Sequence, residues 1–119
     1  MSMTIKERQV GPVTVVELSG QLALGEGSKA LNERLASLIA EGHVNLLLDC
    51  NHVDALDSQG ISALVRGFIS TGKRGGKLRL LKMSTRVRNV LQVTRLLTVI
   101  EAFDDESAAL ASFKPLPRN

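Results

Sequence analysis

The feature that most constrains this chain is the alternation of short apolar runs with longer stretches whose apolar residues recur at helical spacing. Residues 5–10 and 13–18 flank Gly11-Pro12 and read as a hairpin, with Val13 and Val15 on the inward face and Leu18 as a further candidate. Gly20 is the expected end of the second strand, and Gly25-Glu26-Gly27 reads as a loop. Ser28 then opens a helix to about Ala40. Its Leu31, Leu35, Leu38 and Ile39 fall at i, i+4, i+7 and i+8, and Gly42 stops it. Residues 44–48, ending at Asp49, lack alternation, which suits a central strand covered on both faces. Residues 51–55 read as a loop.

A second helix runs from about Ser58 to Thr71 with an expected inward stripe of Ile61, Leu64, Val65, Phe68 and Ile69. Gly72-Lys73-Arg74-Gly75-Gly76 ends it, and residues 77–81 form the next strand. Ser84 caps a third helix with Val87, Val90, Leu91 and Thr94 on one side. Residues 97–103 hold a last strand. Asp104 or Asp105 starts a final helix with Leu110 and Phe113 inward. Residues 114–119, with Pro115 and Pro117, read as a flexible tail. The order β-β-α-β-α-β-α-β-α predicts an α/β fold, a mixed β-sheet with helices packed on it. Residues 1–119 form one domain with its core over about 4–113.

A chain of 119 residues can build one core without disulfides or metals. Aromatics are 3% with no Trp or Tyr, so Leu, Val, Ile and Ala must fill that core, and a base-stacking surface is not expected. Net charge is +3, its excess lying between Lys73 and Arg95, a value that solubility alone accounts for. Nucleic acid is therefore not an expected partner. The single cysteine, Cys50, cannot form an internal disulfide, which fits a reducing compartment. The first residues show no signal-peptide core, and no apolar run is long enough for membrane insertion. The expected location is cytoplasmic.

Candidate chemistry narrows quickly. Cys50 and His52, with His43 upstream, lack the second pair that a structural zinc site needs, so no metal is expected. Ser58 has Asp57 beside it but no histidine with an evident role as its base. The glycines of residues 72–76 follow a helix rather than precede one, and a helix C-terminus is the wrong end for phosphate. No cofactor and no enzyme activity are expected. What remains is Asp54-Ala55-Leu56-Asp57-Ser58-Gln59-Gly60-Ile61, after a central strand and at the start of a helix. Asp57 and Ser58 are both good N-caps, and one of them must do that work. Gly60 either admits a partner close to the backbone or lets the first turn pack on a strand.

Asp57-Ser58-Gln59-Gly60-Ile61, followed by Ala63-Leu64-Val65, resembles the Asp-Ser-Ser/Thr-Gly-Leu signature of STAS-domain anti-sigma factor antagonists. The likeness extends to residues 13–22 with their Gly-x-Leu end, to residues 44–49, to Gly75-Gly76 and the strand after it, and to residues 87–97. It covers about residues 4–113.

The resemblance implies a bacterial, STAS-like domain that binds an anti-sigma factor, a serine kinase, when dephosphorylated and releases it when Ser58 is phosphorylated. Transcription is thereby regulated, and a serine phosphatase resets the switch. Asp57, Ser58, Gln59, Gly60 and Ile61 would meet the partner. Two positions depart from the family pattern: Gln59 stands where a second hydroxyl is common, and Ala23 where the family often has Asp. The alternative is a STAS adaptor of a larger signalling complex or of a lipid or anion transporter, with Ser58 only a helix cap.

Overall fold

The computed structural model describes residues 3–23 and 25–114. Strands β1 (Thr4–Val10) and β2 (Val13–Leu22) form the expected hairpin, followed by α1 (Glu26–Ala40), β3 (Asn45–Leu56), α2 (Ser58–Lys73), β4 (Lys77–Leu81), α3 (Thr85–Val93), β5 (Ala102–Phe103) and α4 (Glu106–Ala111). The five strands lie in the order β1-β2-β3-β4-β5. β1 is antiparallel to β2, and the remaining pairs are parallel. The mixed α/β sheet is the one expected.

Each parallel strand is laid down on the same side of its predecessor. Crossovers of one hand then place α1, α2 and α3 together on one face. The core agrees: Leu31 and Leu35 of α1, Leu64 of α2 and Leu91 of α3 share a cluster with Val16, Leu46 and Leu48. On the other face Val13, Val15 and Leu47 pack with Ala109 and Phe113 at the α4 end. This is why residues 46–48 show no alternation: Leu46 and Leu48 face one layer of helices and Leu47 the other. Val13 and Val15 thus belong under α4, and Leu18 to the larger core.

Several expected boundaries move. β2 does not end at Gly20 but continues to Leu22, and residues 51–55 are strand rather than loop. The cause is mutual: register shifts near Ser19 and Gly20 let the ends of β2 and β3 keep pairing, as far as Leu22 with Leu56. α1 begins at Glu26, two residues before Ser28, whose hydroxyl instead donates to the Gly25 carbonyl. The last strand shrinks to Ala102 and Phe103 because Arg95 takes a left-handed conformation and Leu96–Thr98 coils into a tight turn. Thr94 is exposed rather than inward. Ser84 caps α3 as expected, and Asp105 rather than Asp104 caps α4. The expected tail lies, beyond Lys114, outside the described residues.

The α2 stripe is also rotated. Gly60, Ala63, Leu64, Gly67 and Thr71 are its buried residues, while Ile61, Val65 and Phe68 are half-buried and Ile69 is 48% exposed. Small side chains win the inner face because α1 and the sheet press closely on this helix. A Cβ on Gly67 would lie 2.8 Å from Leu35 Cδ1 and 2.9 Å from Leu78 Cδ1.

Two ion pairs tie the hairpin to the helices. Glu7 of β1 pairs with Arg34 of α1, and Arg8 pairs with both Glu17 and Glu106, the latter on α4. Hydrogen bonds from Arg34 and Arg8 hold the Glu7 and Glu106 carboxyls below the usual carboxylate range. A lowered folded pKa contributes stability above the unfolded value of about 4.3, and that contribution is lost as pH falls through the folded value. Glu7→Gln and Glu106→Gln should each cost up to about 1 kcal/mol at neutral pH. Thermal melts from acid to neutral pH should show the gap to the parent closing below about pH 4. A gap that is constant with pH would remove the electrostatic account.

Candidate functional site

The C-terminal ends of the adjacent parallel strands β2 and β3 lie together, and the chain leaves each of them directly into a helix. The N-termini of α1 and α2 are therefore neighbours, at the end of a parallel sheet where ligands and partners usually meet such folds. Both helices start against the same stretch of backbone. A Cβ on Gly27, in the first turn of α1, would lie 2.0 Å from the Gln21 carbonyl oxygen. One on Gly60, in the first turn of α2, would lie 2.1 Å from that of Leu22. Gly60 is buried. Of its two open explanations, packing on a strand is the one the geometry supplies.

At the start of α2 the two capping candidates separate. Asp57 is extended, and its Oδ1 accepts the Gly60 N–H at 3.0 Å while its carbonyl accepts from Ile61 at 2.9 Å. Asp57 is the N-cap. Ser58 is the first helical residue and is exposed. Among the described residues its hydroxyl makes no hydrogen bond, although its carbonyl accepts one from the Ser62 hydroxyl. The histidines are engaged elsewhere, His43 with Thr14 and His52 with Asn51. Gln59 is exposed, and a Cβ on Gly25 would lie 3.2 Å from its Oε1, so its side chain reaches over the turn that opens α1. Ile61 is half-buried, as is Ala23 beyond the end of β2.

Sequence reasoning found the α2 side of this surface and missed the α1 side. Ser28, Lys29, Asn32 and Glu33 face Gln59, Ser62 and Arg66 across a polar cleft of about 350 Å³. The β-α order carried the signal, because adjacent parallel strands must deliver their following helices side by side. Cys50 is a core residue. Burial, with Asp49 adding to it, pushes its thiol up to about 12, so it stays protonated at neutral pH. Among the described residues no group of three or more His, Cys, Asp or Glu is placed to hold a metal ion. None of their helices is long and apolar enough to cross a membrane.

The model of the STAS domain matches residues 4–109. The chain belongs to the STAS domain family. No curated protein sequence matches it. Among solved structures, an anti-sigma factor antagonist from Mycobacterium paratuberculosis superposes with a TM-score of 0.85 at 22% identity, covering 96% of both chains. The anti-sigma factor antagonist SpoIIAA of Bacillus, in its unphosphorylated form, gives 0.80 at 18% identity, over 97% of this chain and 100% of that one. A sulfate transporter family protein from Wolinella succinogenes gives 0.74 at 26% identity, over 87% and 85%. Together they establish the STAS fold, found here in a chain whose signature segment forms the start of α2.

Stability measurements should separate the residues at that start. Asp57→Ala should cost roughly 0.5–2 kcal/mol, the usual loss of an N-cap. Ser58→Ala should stay within about 0.5 kcal/mol of the parent, as for an exposed position outside the cap. Gly60→Ala should cost about 1–3 kcal/mol or more, because the added carbon overpacks the β2 end. Urea unfolding checks all three, and a Ser58→Ala loss equal to that of Asp57→Ala would transfer the cap to Ser58.

Proposed function

We propose that this STAS domain is an anti-sigma factor antagonist whose partner contact is governed by phosphorylation of Ser58. Unmodified, it binds an anti-sigma factor that is itself a serine kinase. Phosphorylated, it releases that partner, and a serine phosphatase restores the binding form. The observation that carries this reading is the division of roles at the start of α2: Asp57 caps the helix and leaves the exposed Ser58 hydroxyl uncommitted. A modified Ser58 therefore removes no bond on which the fold depends. Support also comes from SpoIIAA, a similar fold solved in both unphosphorylated and phosphorylated forms.

The effect of the phosphate follows from electrostatics. It adds about −1.5 to −2 charge at neutral pH. At a helix N-terminus that charge meets the positive end of the dipole, so the domain tolerates it. A partner covering Ser58 has to desolvate it, and burying an unpaired ion costs several kcal/mol. At about 1.4 kcal/mol per tenfold, one phosphate abolishes a micromolar complex without refolding the domain. The proposed contact surface is Ser58 and Gln59 with the half-buried Asp57 and Ile61 beside them. Gly60 acts beneath it by fixing the helix against β2.

The second reading, an adaptor of a signalling complex or of a lipid or anion transporter, is favoured by the likeness to the Wolinella succinogenes sulfate transporter family protein. Phosphate incorporation separates the two. Intact-mass measurement of protein from its native host should show a phosphorylated fraction that Ser58→Ala lacks. Calorimetric titration against the cognate anti-sigma factor should rank affinity as unmodified protein, then Ser58→Asp, then phosphoserine, with melts nearly unchanged. The single charge of Asp makes it the intermediate case. Equal affinities across the three would return Ser58 to an ordinary surface residue.

A further inference from the structure

The seam between α1 and α2 continues past the polar cleft. Below Gln59 and Ser62 it opens into a groove of about 500 Å³. Leu35, Ile39 and Gly67 lie at its floor, and Arg66, Lys73 and Arg74 stand around it. No Asp or Glu lines it. Among the described residues none of these three cations makes an ion pair, whereas Arg8, Arg34, Arg79 and Arg88 each hold a carboxylate. An apolar trough that carries three cations on its rim and no carboxylate of its own, Glu33 lying in the adjoining cleft, is complementary to a ligand that is apolar on one side and acidic at its flanks.

Resting on the reading of this chain as a partner-binding domain, we propose that the groove docks an acidic amphipathic helix of the protein partner, extending the contact at Ser58 along the seam. The groove is walled by residues 32–40 of α1 and 66–74 at the end of α2, about 13 Å at 1.5 Å per residue, enough to flank between two and three turns. The helix lays apolar residues at i, i+4 and i+7 between the exposed Ala36 and Ala40 on one wall and Ser70 on the other, and its flanking carboxylates meet Arg66, Lys73 and Arg74. A helix fits better than a small amphiphile. Leu35 and Ile39 are already 2% and 7% exposed, so a slender ligand on the floor gains little apolar contact. The exposed edges are the small residues Ala36, Ala40 and Ser70, which a broad cylinder covers from both sides. Asn32 and Arg66 line both the groove and the polar cleft, so one partner can span the two.

The test titrates the full chain with three probes. One is an amphipathic helical peptide bearing Leu at i, i+4, i+7 and i+11 with Glu on its flanks. The second is the same peptide with Lys replacing Glu, and the third is laurate. Binding is read from amide NMR shifts of Ala36, Ala40 and Ser70. The acidic peptide should move these amides, and its Kd should rise at least about threefold between 50 and 250 mM salt. Charge reversal at Arg66, Lys73 and Arg74 together to Glu should weaken it at least about tenfold, and Ala36→Phe, which fills the trough, should do the same. Melts of both variants should remain cooperative, with Ala36→Phe matching the parent and the charge-reversed variant lower, because Glu at positions 73 and 74 opposes the C-terminal end of the α2 dipole. Equal binding of the Lys peptide, no shift with the acidic peptide, or shifts with laurate alone would each overturn the proposal. Ser58 does not line the groove. A negative titration therefore leaves the phosphorylation switch standing, and failure of the switch leaves this titration unchanged.

Discussion

Two helices start against one strand end, and the surface of this domain follows from how closely they do so. The first turns of α1 and α2 touch the last carbonyls of β2 through Gly27 and Gly60, where any larger residue would sit about 2 Å from a carbonyl oxygen. Contact at that range fixes each helix against the sheet at its N-terminus. The two starts are then held side by side, with Gln59 reaching across to the Gly25 turn. Further along, Gly67 lets α2 settle between Leu35 and Leu78. Close packing along the whole seam leaves small residues at its surface and so produces a trough rather than a ridge.

The same closeness assigns the polar residues their roles. Asp57 must be extended to bring the chain out of β3 and into α2, and in that conformation its carboxylate faces the N–H of Gly60. Gly60 is thus both the residue pressed on β2 and the donor that the cap satisfies. Ser58, one position later, is already helical and points its side chain away from this junction into solvent. A chain capped by Ser58 would couple any modification of that hydroxyl to the fold. Capping by Asp57 separates the two.

Most of the fold was legible because strands and helices differ in period. Leu31, Leu35, Leu38 and Ile39 announce α1 and are all buried. Residues 46–48 announce a strand covered on both sides, and they have one. The failures occur where tertiary contact overrides local pattern. Residues 51–55 carry Asn, His and Asp and read as a loop, yet they pair with the bulged end of β2. In α2 the large apolar residues suggest one inner face, and the glycines define another about one position away. Hydrophobicity registers what is apolar, whereas close approach is decided by what is absent, and a missing Cβ leaves no periodic signal. The site was half legible for a related reason. Its α2 segment is contiguous in sequence, but Ser28, Lys29, Asn32 and Glu33 join it only through the parallel pairing of β2 with β3.

The rotation of α2 also explains how a charge at Ser58 could act on binding. Turning the small face inward leaves Ile61 and Val65 half-buried and Ile69 48% exposed on the flank of the same helix. A partner gains from covering apolar surface at about 25 cal/mol per Å², but only by excluding water from the polar groups beside it. With the uncharged Ser58 and Gln59 at the helix start, that exclusion costs little when their hydrogen bonds are replaced. With a dianion there, next to the Asp57 carboxylate, it costs more than a few such apolar contacts return. The apolar flank and the Ser58 hydroxyl need not touch for the proposed coupling to work. They need only lie under one partner, and the two glycines that fix α2 against β2 set where on the surface both lie.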